Sequence, residues 1–250
     1  IQDAYVRRVI DAVGDLDNVL YEIDNEGDAT SKAWQYHMIQ LIRDYEATRP
    51  KQHPIGITAM WPSGSDTDLF NSGADWVSPT GNLDNPAAAS GSKVVLADTD
   101  HLCGICGNVA WVWRSLTRGQ NPILMDGYDG AAIGLGASDY SASNPVWEAI
   151  RKNMGYARSY ANRMNLAAAI PRGDLASSGY CLAVVGSEYL VLLPTGGSVG
   201  VNLTGVTGAR TVEWFNPASG QTIVGASVNG GRYVTITAPF SGTAVAYIHP

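Results

Sequence analysis

The sequence predicts an α/β domain built on part of a (β/α)8 TIM barrel, followed by an antiparallel β-sandwich. Three observations lead there. Apolar, strand-like runs alternate with helical spacing over the first two thirds of the chain. Acidic or polar residues follow the carboxyl end of nearly every one of those runs, the rim where such barrels keep their sites. Beyond Pro171 the helical spacing stops, and short alternating runs recur between turn clusters such as Asn216-Pro-Ala-Ser-Gly and Asn229-Gly-Gly. The chain divides into residues 1–168, of catalytic type, and 169–250.

The α/β part contains five strand candidates, 19–23, 55–60, 75–78, 93–98 and 122–125. Strands this apolar are buried on both faces, so a parallel sheet is expected. Tyr5, Val6, Val9, Ile10 and Val13 give residues 1–13 helical spacing. A second amphipathic helix spans 31–48, with Ser31 able to cap it and Arg49-Pro50 ending it. Residues 65–73 read as a polar turn or short helix. Asn108 opens a helix over 109–118, and Pro145 stands in the first turn of another that runs to about Met164. Five strands fall short of eight, and a whole barrel takes about 250 residues. Roughly the first three strand–helix units are expected to lie elsewhere: either the chain begins part-way through a larger architecture, with any signal peptide upstream of Ile1, or a second copy completes the half barrel. The sandwich is predicted to hold seven strands, at 180–185, 189–193, 198–203, 210–215, 221–225, 232–237 and 243–248.

Composition excludes several classes. The net charge is −7 and the 16 Lys and Arg are scattered, so no basic stripe points to nucleic acid or an anionic membrane. No apolar run reaches the ~18 residues of a membrane span. Cys103, Cys106 and Cys181 do not form a disulfide framework. A zinc reading of Cys103-Gly-Ile-Cys106 would need a second ligand pair, and two reduced thiols in a loop is the preferred reading.

Two strand ends could carry chemistry. The run Asn18-Val-Leu-Tyr-Glu-Ile-Asp-Asn-Glu-Gly-Asp28 starts as a buried strand and ends in carboxylates. Cleaving a glycosidic bond needs one carboxyl that lends a proton and another that attacks the sugar or activates water. Glu26 suits the first role, and Asn25 beside it could hold a substrate hydroxyl; the blander alternative is an acidic, solvated helix entry. In Ala97-Asp-Thr-Asp-His-Leu102, Asp98 or Asp100 could be the second carboxylate, with Asp98 preferred as nearest the strand. His101 could bond the substrate or tune a carboxylate. Asp98, Asp100 and His101 could alternatively bind a metal through a different, hydrolytic chemistry. Six of the seven tryptophans precede residue 150, which suits a carbohydrate cleft, because aromatic faces stack on sugars. Trp61, Trp111 and Tyr128 are candidate substrate contacts. Trp111 and Trp113 cannot both face one way on a helix, so at least one belongs to the core. Asp126 lies at the end of the fifth strand and could line the site.

Tyr21-Glu-Ile-Asp-Asn-Glu-Gly-Asp28, Val95-Leu-Ala-Asp-Thr-Asp-His-Leu102 and Ala110-Trp-Val-Trp-Arg-Ser-Leu-Thr-Arg-Gly-Gln-Asn-Pro-Ile-Leu-Met-Asp126 together resemble the second half of a bacterial barrel glycoside hydrolase of the apiosidase-like group. The C-terminal part resembles a domain labelled as collagen-binding, from a collagenase. In such barrels the acid/base glutamate follows strand four within Asn-Glu, and the nucleophile follows strand seven. The resemblance therefore implies Glu26 as acid/base and Asp98–Asp100 as the nucleophile position, where many relatives carry Glu. It implies a retaining hydrolase of plant or microbial poly- or oligosaccharide, working without cofactor or metal, secreted or periplasmic. A non-catalytic carbohydrate-binding or structural fragment is the alternative that the missing strands motivate.

Overall fold

The computed structural model describes residues 1–84, 89–126 and 144–250. Five parallel strands form one sheet in chain order: β1 (Tyr21–Glu22), β2 (Ile55–Thr58), β3 (Trp76–Ser78), β4 (Val94–Asp98) and β5 (Gln120–Ile123). Helices α1 (Gln2–Val13), α2 (Lys32–Glu46), α3 (Asp66–Asn71), α4 (Thr99–Cys103), α5 (Val109–Thr117) and α6 (Pro145–Arg163) lie between and beside them. The helix starts follow from local chemistry. Ser65, Asp98, Asn108 and Asn144 each accept a hydrogen bond from a backbone N–H of the first turn, and Pro145 needs no partner for its missing one. Ser31 departs from expectation: its hydroxyl donates to the Asp28 carbonyl, and Asp28 instead caps a single 3-10 turn, 29–31, by accepting from Thr30 N at 2.8 Å. That contact holds the Asp28 carboxyl below the usual carboxylate range.

Strand alternation sorts the sheet into two faces. Tyr21, Ile55, Ile57, Val77 and Val95 point outward and pack on Ile10 of α1, Ile39 and Ile42 of α2 and Leu69 of α3. On the other face the Trp76 ring lies over Gly56, where a Cβ would come within 1.8 Å of the indole. Gly56 is there because no side chain fits under that ring. At the amino-terminal ends of the strands, buried Glu46 and His53 tie two connections together. Glu46 accepts from His53 N at 2.7 Å and lies 2.6 Å from Nδ1, while Nε2 is 2.8 Å from the Leu16 carbonyl. Both ring nitrogens therefore face acceptors, which raises the His53 pKa, the glutamate contact contributing most.

All seven predicted sandwich strands are present: β7 (Cys181–Val184), β8 (Glu188–Leu193), β9 (Gly196–Asn202), β10 (Ala209–Asn216), β11 (Gln221–Val224), β13 (Tyr233–Ser241) and β14 (Ala244–His249). Two short strands, β6 (Ile170–Pro171) and β12 (Val228–Asn229), add to them. The larger antiparallel sheet runs β11-β10-β14-β8-β7-β6, and β9 pairs with β13 to form its smaller counterpart. Antiparallel sheets often face water on one side; this one is covered on both. Cys181, Tyr189, Val191, Trp214, Ala246 and Ile248 face β9 and β13. Their alternates Leu182, Leu190, Leu192, Phe215, Val245 and Tyr247 pack against Trp111, Trp113, Trp147, Ile150 and Tyr160 of α5 and α6. One core thus spans both parts of the chain. Polar contacts reinforce it: Arg163 grips Glu213 at 2.7 and 2.9 Å, and Tyr160 donates to the same carboxylate at 2.8 Å. The guanidinium holds the Glu213 carboxyl below its ordinary range.

No helix among the described residues is long and apolar enough to cross a membrane. Strands β1 and β5 are the two edges of the parallel sheet. An apolar groove of about 250 Å³ adjoins β1, lined by Val6, Val9, Tyr21, Trp34 and Met38; one of about 410 Å³ lies between β5 and α6.

Candidate active site

The carboxyl ends of the parallel strands gather the polar residues. After β1 the chain turns through Asp24, Asn25 and Glu26. Thr58, from the end of β2, holds that turn: its hydroxyl is 3.0 Å from the Asp24 carbonyl and 3.2 Å from Glu22 Oε1. Glu26 has φ of 52°, in the left-handed region that a non-glycine residue enters only at local cost. The turn presents the exposed Glu26 side chain across the sheet toward the end of β4.

There Asp98 and Asp100 part company. Asp98 Oδ1 accepts from Asp100 N at 3.0 Å and caps α4. Asp100, in the first turn, projects toward β1. Carboxylate oxygens of Glu26 and Asp100 and a ring nitrogen of His101 all lie within 4.8 Å of one another. Buried Thr99 anchors this segment by accepting from Met125 N at 2.8 Å, which ties the end of β4 to the end of β5. His101 Nδ1 is 2.7 Å from Ser78 Oγ, and Nε2 is 3.4 Å from Asn25 Oδ1. Thr58, Ser78 and Thr99 went unnoticed in the sequence: a lone hydroxyl at a strand end carries no pattern, and only the sheet order puts each beside its partner. The trio of Glu26, Asp100 and His101 also has the donor chemistry to take a divalent cation, with Glu26 replacing Asp98 in the set expected from sequence.

The aromatic candidates divide. Trp61, beyond β2, is 66% exposed and offers a ring face at the rim. Trp111 is 0% exposed and sits within the core between α5, α6 and the sandwich, as does Trp113. The proposed sugar contact at Trp111 is therefore corrected: both indoles of this helix are core, Trp113 packing on Phe215 of the sandwich while Trp111, on another side of the helix, is fully buried as well. Asp126 is engaged by Arg151 of α6 in a two-point ion pair, with both distances 2.7 Å. Tyr128 lies outside the described residues. Cys103 and Cys106 are joined as a disulfide, not held as two thiols, and their Cα atoms are 6.0 Å apart. The bridge closes the turn that begins two residues after His101. Cys181 is a free, buried thiol whose pKa burial pushes up to about 12.

Residues 169–245 match the family model described as "Putative collagen-binding domain of a collagenase". No curated protein matches the chain. Among solved structures the chain resembles one titled "Glycoside hydrolase" (TM-score 0.66, 12% identity, 99% of this chain and 68% of that one). It also resembles a glycoside hydrolase family 5 structure from Bacteroides vulgatus (TM-score 0.68, 12% identity, 99% and 66%). A third is the catalytic domain of GH30 xylanase C from Talaromyces cellulolyticus (TM-score 0.57, 12% identity, 99% and 67%). At this identity the likeness establishes the fold alone: part of a TIM barrel with a β-sandwich after it. The chain spans about two thirds of the length of each of these structures.

Proposed function

We propose that this chain carries the two catalytic carboxylates of a glycoside hydrolase acting on a plant or microbial poly- or oligosaccharide. The observation that carries the reading is the approach of Glu26 and Asp100 to within 4.8 Å at the sheet's carboxyl end. Retaining glycosidases hold their carboxyls about 5–5.5 Å apart, and inverting ones about 6.5–9.5 Å, to admit a water. The spacing supports retention. Glu26 protonates the leaving glycosidic oxygen as Asp100 attacks the anomeric carbon and forms a glycosyl ester. Glu26, now a carboxylate, takes a proton from water, and that water displaces Asp100. Asp98, committed to the helix cap, is the weaker candidate for the attacking group. Asn25 holds a substrate hydroxyl, and the exposed Trp61 stacks on a sugar ring. The likeness to glycoside hydrolases supports the class; it leaves the sugar and the linkage open.

The test is Glu26→Gln assayed on a panel of natural and aryl glycosides. A general acid contributes about 10²–10⁴-fold, and a loss of that order is expected on natural linkages, with less on aryl leaving groups that need no proton. Wild-type rates on every substrate would sink the assignment. Glycan binding with no turnover by the wild-type chain would favour a binding role.

A second reading follows from the same cluster, since Glu26, Asp100 and His101 could instead hold a metal ion that activates water. Activity that survives exhaustive treatment with a chelator removes it. The Cys103–Cys106 bridge supports an oxidising compartment and hence secretion or a periplasmic location. The grooves at β1 and β5 suit closure by further strand–helix units, whether from the same polypeptide or from a second copy.

A further inference from the structure

Ser78 sits between the sheet and the site. It ends β3, it is 2% exposed, and its Oγ lies 3.2 Å from the Leu96 carbonyl oxygen and 2.7 Å from His101 Nδ1. A hydroxyl has one hydrogen, so its direction decides which ring nitrogen of His101 carries a proton. The sheet settles that direction. In the parallel ladder, Val94 N donates to the Asp75 carbonyl, with Val94 opposite Trp76. Continuing the register, the main-chain donor facing the Leu96 carbonyl would be residue 79. That residue is Pro79, which has no N–H. The Leu96 carbonyl therefore lacks its ladder donor, and the Ser78 hydroxyl takes that place. With its hydrogen so used, Ser78 Oγ can only accept from His101, and Nδ1–H donates to it at 2.7 Å.

We propose that Ser78 is a positioning residue: by replacing the donor missing at Pro79, it fixes His101 as the Nδ1–H tautomer. Nε2 is then the nitrogen without a hydrogen in the neutral ring. It faces the Asn25 side-chain amide, whose Oδ1 is 3.4 Å away and whose flip brings the NH2 end to the Nε2 lone pair, and the ring stands in the cluster with Glu26 and Asp100. The neutral ring so held offers the Nε2 lone pair to the site. The tautomer itself depends only on the sheet geometry; its kinetic consequence rests on the glycosidase reading.

The two can be told apart by recording long-range 1H–15N correlations of the histidine rings in the full chain, at a pH where His101 is neutral. Its signals are assigned by their loss in His101→Gln. The expected spectrum has a protonated Nδ1 and an unprotonated Nε2; a protonated Nε2 in the unaltered protein overturns the proposal without any variant. Ser78→Ala should shift the neutral ring toward Nε2–H, and Ser78→Thr, which keeps the hydroxyl, should restore Nδ1–H. A tautomer unmoved by Ser78→Ala also overturns it. On any glycoside the chain hydrolyses, Ser78→Ala should lower kcat by about ten- to a hundredfold, with Ser78→Thr recovering most of it. Should Glu26→Gln prove fully active, the glycosidase reading falls while the spectroscopic result still decides the role of Ser78.

Discussion

Glu26 and Asp100 bring carboxylate oxygens to within 4.8 Å of each other, although β2 and β3 separate their strands in the sheet. Strands in a parallel sheet lie about 4.8 Å apart, so neighbours three strands away meet only if the sheet curls and both side chains lean inward. The backbone of Glu26 at φ 52° and the cap that commits the Asp98 carboxylate to the Asp100 N–H, leaving the Asp100 side chain to project into the site, supply the leaning.

This division of labour between the two aspartates can be tested. Asp100→Asn should lower kcat/KM by at least about a hundredfold, as removal of a positioned carboxylate does. Asp98→Asn should leave the rate nearly unchanged, because Asn caps a helix as well as Asp, whereas Asp98→Ala should cost about 1 kcal/mol of stability. Initial rates and urea unfolding of the three variants check this, and a large rate loss confined to Asp98→Asn would reverse the assignment.

Stereochemistry gives an independent measure of the carboxyl spacing. With Glu26 and Asp100 this close, the first-formed product should keep the anomeric configuration of the substrate. Proton NMR in the opening minutes of the reaction distinguishes the anomers, and an inverted first product would contradict the spacing.

The Cys103–Cys106 bridge closes a very short loop, for which the chain-entropy model gives about 2 kcal/mol. For a chain of this size that corresponds to a Tm lower by about 4–8 °C on replacing both cysteines with serine or on reduction. Because the bridge begins two residues after His101, in the same helix, activity should fall along with stability. Calorimetry with and without a dithiol reads the first effect, and no change in Tm would show that the bridge contributes nothing to the native state.

The buried His53–Glu46 pair makes stability depend on pH in a defined direction. The folded His53 pKa is raised above its ordinary 6.5. Its contribution is therefore complete below about pH 6.5 and is lost as pH rises through the raised folded value. Urea unfolding at pH 6 and pH 9 should show wild type losing more stability on the alkaline side than His53→Asn. Glu46→Gln, which leaves the imidazole without its carboxylate, should cost about 3–5 kcal/mol near neutrality, the usual loss on breaking a buried pair. An identical pH slope in wild type and His53→Asn would remove His53 as the cause.

Much of the fold was legible because its strands are short, apolar and bounded by turn residues. Each of the seven sandwich strands and the first four parallel strands overlaps its predicted run; β5 begins two residues before its run, at Gln120, which pairs with Val95. Strand β1 is shorter than its apolar run, since the turn to Asp24 begins once Thr58 takes hold of it. Strands β6 and β12, of two residues each, have no periodicity to read. Which indole of α5 is core could not be placed, because both are buried, Trp113 against Phe215 of a sandwich that docks from another part of the chain. The disulfide was not read because C-x-x-C spacing serves thiols, metal ligands and bridges alike; the turn at Gly104, with φ 75°, lies between the two bonded cysteines.

From sequence alone, the alternation of apolar runs determined the two-part architecture, and the acidic strand ends determined which loops carry the carboxylates. Those are local properties, set by side-chain periodicity and turn chemistry within a few residues. Only the tertiary structure chose Asp100 over Asp98 as the neighbour of Glu26, made Trp111 core and left Trp61 exposed, and placed Ser78 where Pro79 leaves a carbonyl without its donor. Each of those outcomes depends on groups that the chain brings together from separate strands, and sheet order and register, rather than residue type, decide which of them meet.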